Sequence, residues 1–253
     1  MVKIFINFGN RTNHNMDSEL TTIHLSVDCT VLGFNGNRLE VLLIRRTGVE
    51  GGQEFHDMKL PGDLVRPTED LDDAARRVLT ERTGLKNIPL RQFHAFASMD
   101  RTKDPKDVHW LEYAHQTNVR RIVTIAYVAL VKIGRNIIGE MEGTEALWVP
   151  VDALPPLAFD HNRIIADAVA QLRVLASMDP SILYALLPRK FTVTQLRNLY
   201  EVVFGGRLDP ANFYKKMVQM PYIVALEEHE KGVAHRAARY YRFDKNIYNK
   251  TRL

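Results

Sequence analysis

The chain has 253 residues, room for one large domain or two ordinary ones. Its 45% hydrophobic and 25% charged residues exclude a disordered or collagen-like chain and allow a full core. The formal net charge of +4 is unevenly spread: residues 1–180 hold 21 Lys/Arg against 24 Asp/Glu, and residues 181–253 hold 13 against 6. That distribution points to a mildly acidic sensor or enzyme joined to a polyanion-binding module.

Residues 1–21 start with a short apolar run and turn polar. The run is too brief for a signal sequence, so the segment is expected to be disordered. His24–Phe34 is rich in Val, Leu and Phe and leads to the hairpin signal Asn35-Gly36-Asn37, after which Leu39–Arg45 returns as a second strand. Cys29, the single cysteine, lies in the first of these strands. It is expected to be a buried, inert thiol, and no intrachain disulfide can form. Gly48–Met58 is glycine-rich and polar and reads as a loop. Asp70–Thr83 has a helical apolar period, with Thr68 or Asp70 as cap and Gly84 as stop.

Leu90–Phe96 and Arg121–Ile133 read as strands, separated by a long polar loop over Ser98–Asn118. Leu147–Pro150 reads as a short edge strand before Pro155-Pro156. In His161–Ala176, Ile164, Ile165, Ala168, Val169, Leu172 and Leu175 recur at helical spacing, predicting an amphipathic helix that bridges two domains. The expected division is an N-terminal domain over 22–155, a linker helix over 156–180 and a C-terminal domain over 181–253. No stretch approaches the roughly 20 apolar residues that span a bilayer, and a cytoplasmic protein is expected.

In the C-terminal part, Thr192 or Thr194 caps a helix with Leu196, Leu199, Tyr200 and Val203 on one face, stopped by Gly205-Gly206. Asp209 caps a second helix carrying Pro210 in its first turn. This helix displays Asn212, Tyr214, Lys215 and Lys216 around Phe213 and Met217. Tyr222–Leu226 and Ala238–Phe243 would be the two strands of a wing, with Arg236, Arg239 and Arg242 within reach of phosphates. Two short helices joined by a glycine turn form a helix-turn-helix whose second helix enters the major groove. There the lysines suit phosphate or guanine, and Asn212 suits adenine. A small helical cap with a solvated basic face is the plainer alternative.

Leu60-Pro61-Gly62 and the run to Leu85 resemble the Nudix box, G-x5-E-x7-R-E-U-x-E-E-x-G-U with U apolar, through Glu69, Arg77, Leu79, Glu81, Gly84 and Leu85. Nudix hydrolases split substituted diphosphates with Mg²⁺ held by helix glutamates. Here the first and third acidic positions of R-E-U-x-E-E are Val78 and Arg82, and Asp63 replaces the loop glycine. The Arg82 guanidinium is expected to repel Mg²⁺ and pair with Glu81, while Glu69 and Asp63 leave a weaker metal site open. No catalytic residue, metal or cofactor is assigned, and Arg77 and Glu81 are expected to brace the fold.

Ser98-Met99-Asp100-Arg101 with Asp104-Pro105 resembles the Asp-Arg-Asp-Pro turn of Nudix-related regulators. The resemblance implies effector contacts from Arg45, Arg66, Asp100, Arg101 and Arg121, with Arg46 beside them. Phe159-Asp160-His161 is similar to that family's Phe-Asp-His junction, where Asp160 is expected to cap the bridging helix. From about residue 22 to the end the chain resembles the Nudix-related transcriptional regulators. The tract from Leu199-Tyr200-Glu201 to Met217 is most like the arabinose regulators of Bacteroidetes, and the NAD-metabolism regulators that sense ADP-ribose share the architecture.

The fold this implies is α+β: a Nudix α/β/α sandwich with a mixed sheet, then a winged helix-turn-helix. The function implied is a homodimeric transcription regulator on a double-stranded DNA operator, controlled by a pentose or nucleotide-sugar effector. A Mg²⁺-dependent pyrophosphohydrolase acting on ADP-ribose or a related nucleotide is the alternative.

Overall fold

The computed structural model describes residues 23–119, 121–134, 137–138, 141–234 and 236–251. The segment expected to be disordered, 1–21, lies outside them. A mixed seven-stranded sheet is built on β1 (Ile23–Phe34), which pairs antiparallel with β2 (Leu39–Glu50) on one side and parallel with β6 (Arg121–Lys132) on the other. β3 (Gln53–Lys59) and β5 (Arg91–Phe96) are the outer strands of the path. β4 (Gly62–Leu64) adds to β1, and β7 (Ala146–Pro150) adds to β2.

Strand alternation divides the core in two. Val27, Cys29 and Val31 of β1 and Leu42 of β2 meet Ala74, Ala75, Val78 and Leu79 of α1 (Leu71–Thr83). On the opposite face, Leu32, Val41, Leu43, Ala126 and Val128 meet Ile164, Ile165, Ala168 and Leu172. These last belong to a helix, here α3 (His161–Met178). β1 is covered on both faces, so it reads as a continuous apolar run rather than an alternating one.

Two expected loops are ordered elements. Gly48–Met58 continues β2 into a hairpin with β3, turned at Gly51 and Gly52, whose φ angles of 58° and 81° suit a two-residue hairpin turn. Within Ser98–Asn118 lie a 3-10 turn, Met99–Thr102, and helix α2 (Pro105–His115). Asp104 caps α2 by accepting from the Lys106 amide, and Pro105 opens its first turn. Asp70 is the cap of α1, and Gly84 ends that helix in the left-handed region at φ 76°.

After a 3-10 stretch, Pro180–Leu186, come α4 (Val193–Phe204) and α5 (Pro210–Met217). Thr192 caps α4 in a reciprocal box with Gln195, and Asp209 caps α5. The hairpin of β8 (Ile223–His229) and β9 (Arg239–Phe243) follows, with α6 (Lys245–Thr251) last. Leu183, Leu186, Leu196, Leu199, Met217 and Tyr241 join the same apolar cluster as the inner face of α3. That helix therefore packs against both the sheet and the C-terminal lobe.

Candidate functional site

The Nudix-box residues are gathered on one side of the sheet, and their charges are matched internally. Arg77 donates to Glu69 through a short contact and a second bond of 3.0 Å, to Glu81 at 3.2 Å and to the Leu64 carbonyl at 3.0 Å. Arg66 is exposed and reaches Glu81 at 3.4 Å, while its amide donates to Glu69. Arg82 pairs with Asp63 at 2.6 Å and not with Glu81. Successive helix residues do not face each other, so Arg82 turns to β4 instead. His115 approaches the other Asp63 oxygen at 3.2 Å.

Burial would raise the Asp63 carboxyl, but the hydrogen bond and charge of Arg82 outweigh it and hold the carboxyl low. Val78 is fully buried in the apolar cluster and offers no donor atom. Mg²⁺ requires several free oxygens in an octahedral shell. Among the described residues no three His, Cys, Asp or Glu side chains are grouped to hold a metal ion. The weaker site expected from Glu69 and Asp63 does not fit the ion, because both carboxylates are engaged by guanidinium groups.

Beside the box lies a small buried cavity of about 20 Å³, whose lining includes Asp28, Lys59, Arg101, Trp110, Phe159 and His161. Arg101 is 3% exposed and bridges two carboxylates, Asp28 at 2.6 Å and Asp160 through a short contact. His161 accepts a hydrogen bond from the Leu60 amide on Nδ1 at 3.0 Å, which leaves the proton on Nε2, 3.4 Å from Asp28. Burial pushes the imidazole below its usual value and keeps it neutral. Burial alone would raise Asp28; His161, Arg101 and Lys59 together outweigh it and hold the carboxyl well below the usual carboxylate range. Lys59 donates to the Gly62 carbonyl at 2.8 Å, and desolvation lowers its ammonium to about 8.

A second buried cation adjoins the first. Arg46 is 2% exposed, makes a bidentate pair with Asp57 at 2.7 Å, and reaches Asp107 of α2 at 2.6 Å. The rings of Phe55, Trp110 and Phe159 lie 5.1, 5.3 and 5.4 Å from its guanidinium. The other Asp107 oxygen accepts from the Phe159 amide at 2.8 Å. The same short segment, Phe159–His161, thus touches both cations and opens α3.

Of the expected effector residues, Arg101 is at the centre of this site and the others are not. Arg45 and Asp100 are exposed, and Arg66 faces the box. Arg121 is half-buried with its Nε unpartnered, next to the cavity-lining Ile122. Asp160 stands at the cap position of α3 but makes no capping hydrogen bond, because its carboxylate is held by Arg101. Sequence reasoning missed Asp28, Lys59 and Asp107. For Asp28 and Lys59 a charge in an apolar strand and one beside Leu-Pro-Gly were the available signal, since buried charges are seldom without a partner, whereas Asp107 sits in a polar stretch that gave none. A larger groove of about 710 Å³ runs along Ile88, Leu130, Ile133, Ala185 and Pro188, with Lys132 and Arg189 as the charged residues of its described lining.

In the C-terminal lobe, Asn212, Tyr214, Lys215 and Lys216 are exposed along α5, while Met217 is buried and Phe213 half-buried behind them. Arg236 is exposed between the wing strands. Arg239 is committed within the wing, donating to the Leu226 carbonyl at 2.6 Å and to Glu227 at 2.7 Å. Arg242 pairs with Asp244 at 2.9 Å.

A NUDIX domain model matches residues 22–168, and a model of the NrtR DNA-binding winged helix domain matches residues 183–243. The ADPR responsive transcriptional repressor NtrR of Acinetobacter baylyi is 29% identical over 231 residues, 89% of this chain and 84% of the relative. Shewanella oneidensis NrtR, solved with a 27mer DNA, superposes with a TM-score of 0.65 at 22% identity, covering 89% of this chain and 95% of that one. A MutT/nudix family protein from Enterococcus faecalis gives a TM-score of 0.58 at 24% identity, with 91% of each chain covered. At these identities the solved structures share the fold.

Proposed function

Because the chain belongs to the NUDIX domain family and carries an NrtR-type winged helix behind that domain, we propose that it is a transcriptional repressor controlled by a small effector. α5 enters the major groove of operator DNA, with Asn212 and Tyr214 at base edges and Lys215, Lys216 and Arg236 at phosphates. Two copies bind the two halves of a palindromic operator. The Nudix lobe holds an ADP-ribose-like nucleotide or a pentose beside Arg101. It does not hydrolyse that effector, because the surviving carboxylates neutralise arginines instead of Mg²⁺.

One observation carries the reading: a Nudix box closed into ion pairs by Arg77 and Arg82 shares a chain with a helix-turn-helix whose polar face is open. The relative from Acinetobacter baylyi, named as ADPR responsive, supports the nucleotide as effector. Effector occupancy reaches the DNA-binding lobe through α3, whose first residue lines the cavity and whose inner face packs on the winged helix.

Fluorescence anisotropy with DNA from upstream of the protein's own gene tests the proposal. Specific binding at moderate salt, shifted by ADP-ribose or a pentose, is expected. Failure to prefer that DNA over a scrambled duplex refutes the repressor reading. Robust Mg²⁺-dependent turnover of ADP-ribose, abolished by Glu81→Gln, refutes the loss of hydrolysis.

A further inference from the structure

The cavity beside Arg101 is too small for the effector it is read to bind. Its volume is about 20 Å³, room for a water molecule, whereas small-molecule pockets span roughly 300–1,000 Å³. Its far wall is fixed by β1, β3 and the head of α3, through Asp28, Lys59 and His161. Its near wall is different in kind: Trp110, Leu111 and His115 all come from α2. With Asp107 they lie on one face of that helix, at spacings of three, four and eight residues from Asp107.

α2 is held in a way that suits movement. It does not belong to either main apolar cluster; its buried Leu111 packs in a small third cluster with Val119 and Ile122. Trp110 packs at the edge of that small cluster with Leu64 and Phe159 and lies over Arg46 and Lys59, and the remaining anchorage is polar: Asp107 to Arg46 and to the Phe159 amide, Lys106 to Asp57 at 3.3 Å, and His115 to Asp63. An element with few buried apolar contacts opens at a lower free energy than the core around it. Opening leaves no bare cation behind, because Arg46 keeps its bidentate partner Asp57 when Asp107 departs.

We propose that α2 is the lid of the effector cavity and that Asp107 is its latch. The inference rests on the reading of the Nudix lobe as an effector-binding domain. Ligand enters when α2 lifts, breaking the Asp107–Arg46 pair and the Phe159–Asp107 hydrogen bond. Phe159 is held at a φ of 54°, in the left-handed region that a phenylalanine seldom adopts, and the Asp107 carboxylate accepts its amide there. Release of the latch therefore frees the turn at the head of α3, so the lid and the helix that reaches the DNA-binding lobe move on one trigger.

Two measurements on the full-length protein test this, one with ligand and one without. Glu50 and His109 face each other at 2.9 Å on the surface, between β2 and α2. The double variant Glu50→Cys/His109→Cys can be bridged by a bis(methanethiosulfonate) cross-linker, each thiolate displacing methanesulfinate to form a disulfide that dithiothreitol later reduces; native Cys29 is buried and does not compete. Cross-linking is expected to weaken binding of ADP-ribose, or of a pentose, at least tenfold, and reduction of the linker is expected to restore it. Unchanged binding while cross-linked overturns the lid. If the unlinked protein binds neither probe, the effector reading falls, and hydrogen exchange on the free protein still judges the lid. The α2 amides are expected to exchange at least tenfold faster than those of α1 and α3, and at least tenfold faster again in Asp107→Asn with α1 unchanged. Protection of α2 equal to that of α1 overturns the lid whatever the ligand.

Discussion

Replacing Arg101 by methionine removes the side chain that joins buried Asp28 to half-buried Asp160 across the site. Asp28 is 4% exposed and lies 2.6 Å from the guanidinium, so in the variant it would keep only His161 at 3.4 Å and the nearby Lys59. Breaking a buried ion pair by removing one partner costs about 3–5 kcal/mol, because the remaining charge stays buried. In a chain of this size each kcal/mol shifts the melting temperature by about 2–4 °C, so Arg101→Met is expected to melt roughly 6–20 °C below the parent at pH 7. Adding Asp28→Asn removes the stranded charge, and the double variant is expected to recover at least ~1 kcal/mol over Arg101→Met alone. The sign with pH is also fixed. The folded-state Asp28 carboxyl is depressed, so its contribution is present above the unfolded carboxylate range and is lost as the pH falls through that range toward the folded value. Arg101→Met should flatten that dependence. Thermal and urea denaturation of the four proteins in the cycle decide the matter. A melting temperature within about 2 °C of the parent, equivalent to about 0.5–1 kcal/mol, or a cycle without coupling, would refute the buried-pair account.

Three further outcomes follow from the same geometry. Lys59→Met is expected to stand higher relative to the parent at pH 7 than at pH 10.5, by on the order of 3 kcal/mol, since burial lowers the ammonium to about 8 from its ordinary 10.5. Between those values the unfolded chain binds more protons, so the parent gains on the variant as the pH rises from 8 to 10.5; a difference independent of pH contradicts this. Gly62→Ala places a Cβ 1.9 Å from an oxygen of Asp28, a carboxylate pinned by Arg101, and is expected to cost about 1–3 kcal/mol by overpacking, read from the urea midpoint. Lys215→Ala and Lys216→Ala should each weaken DNA binding across sequences and lower the slope of log affinity against log salt by about 1. An unchanged slope in anisotropy titrations removes that lysine from the phosphate contacts.

Much of the fold was legible because its signals are local. The caps Asp70, Thr192 and Asp209 each satisfy the amide group three residues ahead, and the apolar period of α3 is a property of one helix turn after another. The spacing from Glu69 to Gly84 specifies a loop and a helix before any contact with the rest of the chain is known. The α2 cap, Asp104-Pro105, was equally local, but a surrounding polar stretch without a strong apolar stripe hid it. In the same way Gly51-Gly52 marked a hairpin that the polar residues around it disguised as a loop.

The sequence by itself determined the order of most elements, the departures from the Nudix box at Val78 and Arg82, and the polar face of α5. Only the tertiary structure decided which charges form the site. Arg45 and Arg46 are neighbours on β2, yet strand alternation exposes the first and buries the second against Asp57 and Asp107. Arg101 finds Asp28 and Asp160 at separations of 73 and 59 residues, and Arg82 turns to Asp63 rather than to the adjacent Glu81. Pairings of this kind depend on sheet register and on which face of a helix is turned inward. Buried charges must find partners wherever the fold brings them, and no rule that reads along the chain contains that distance.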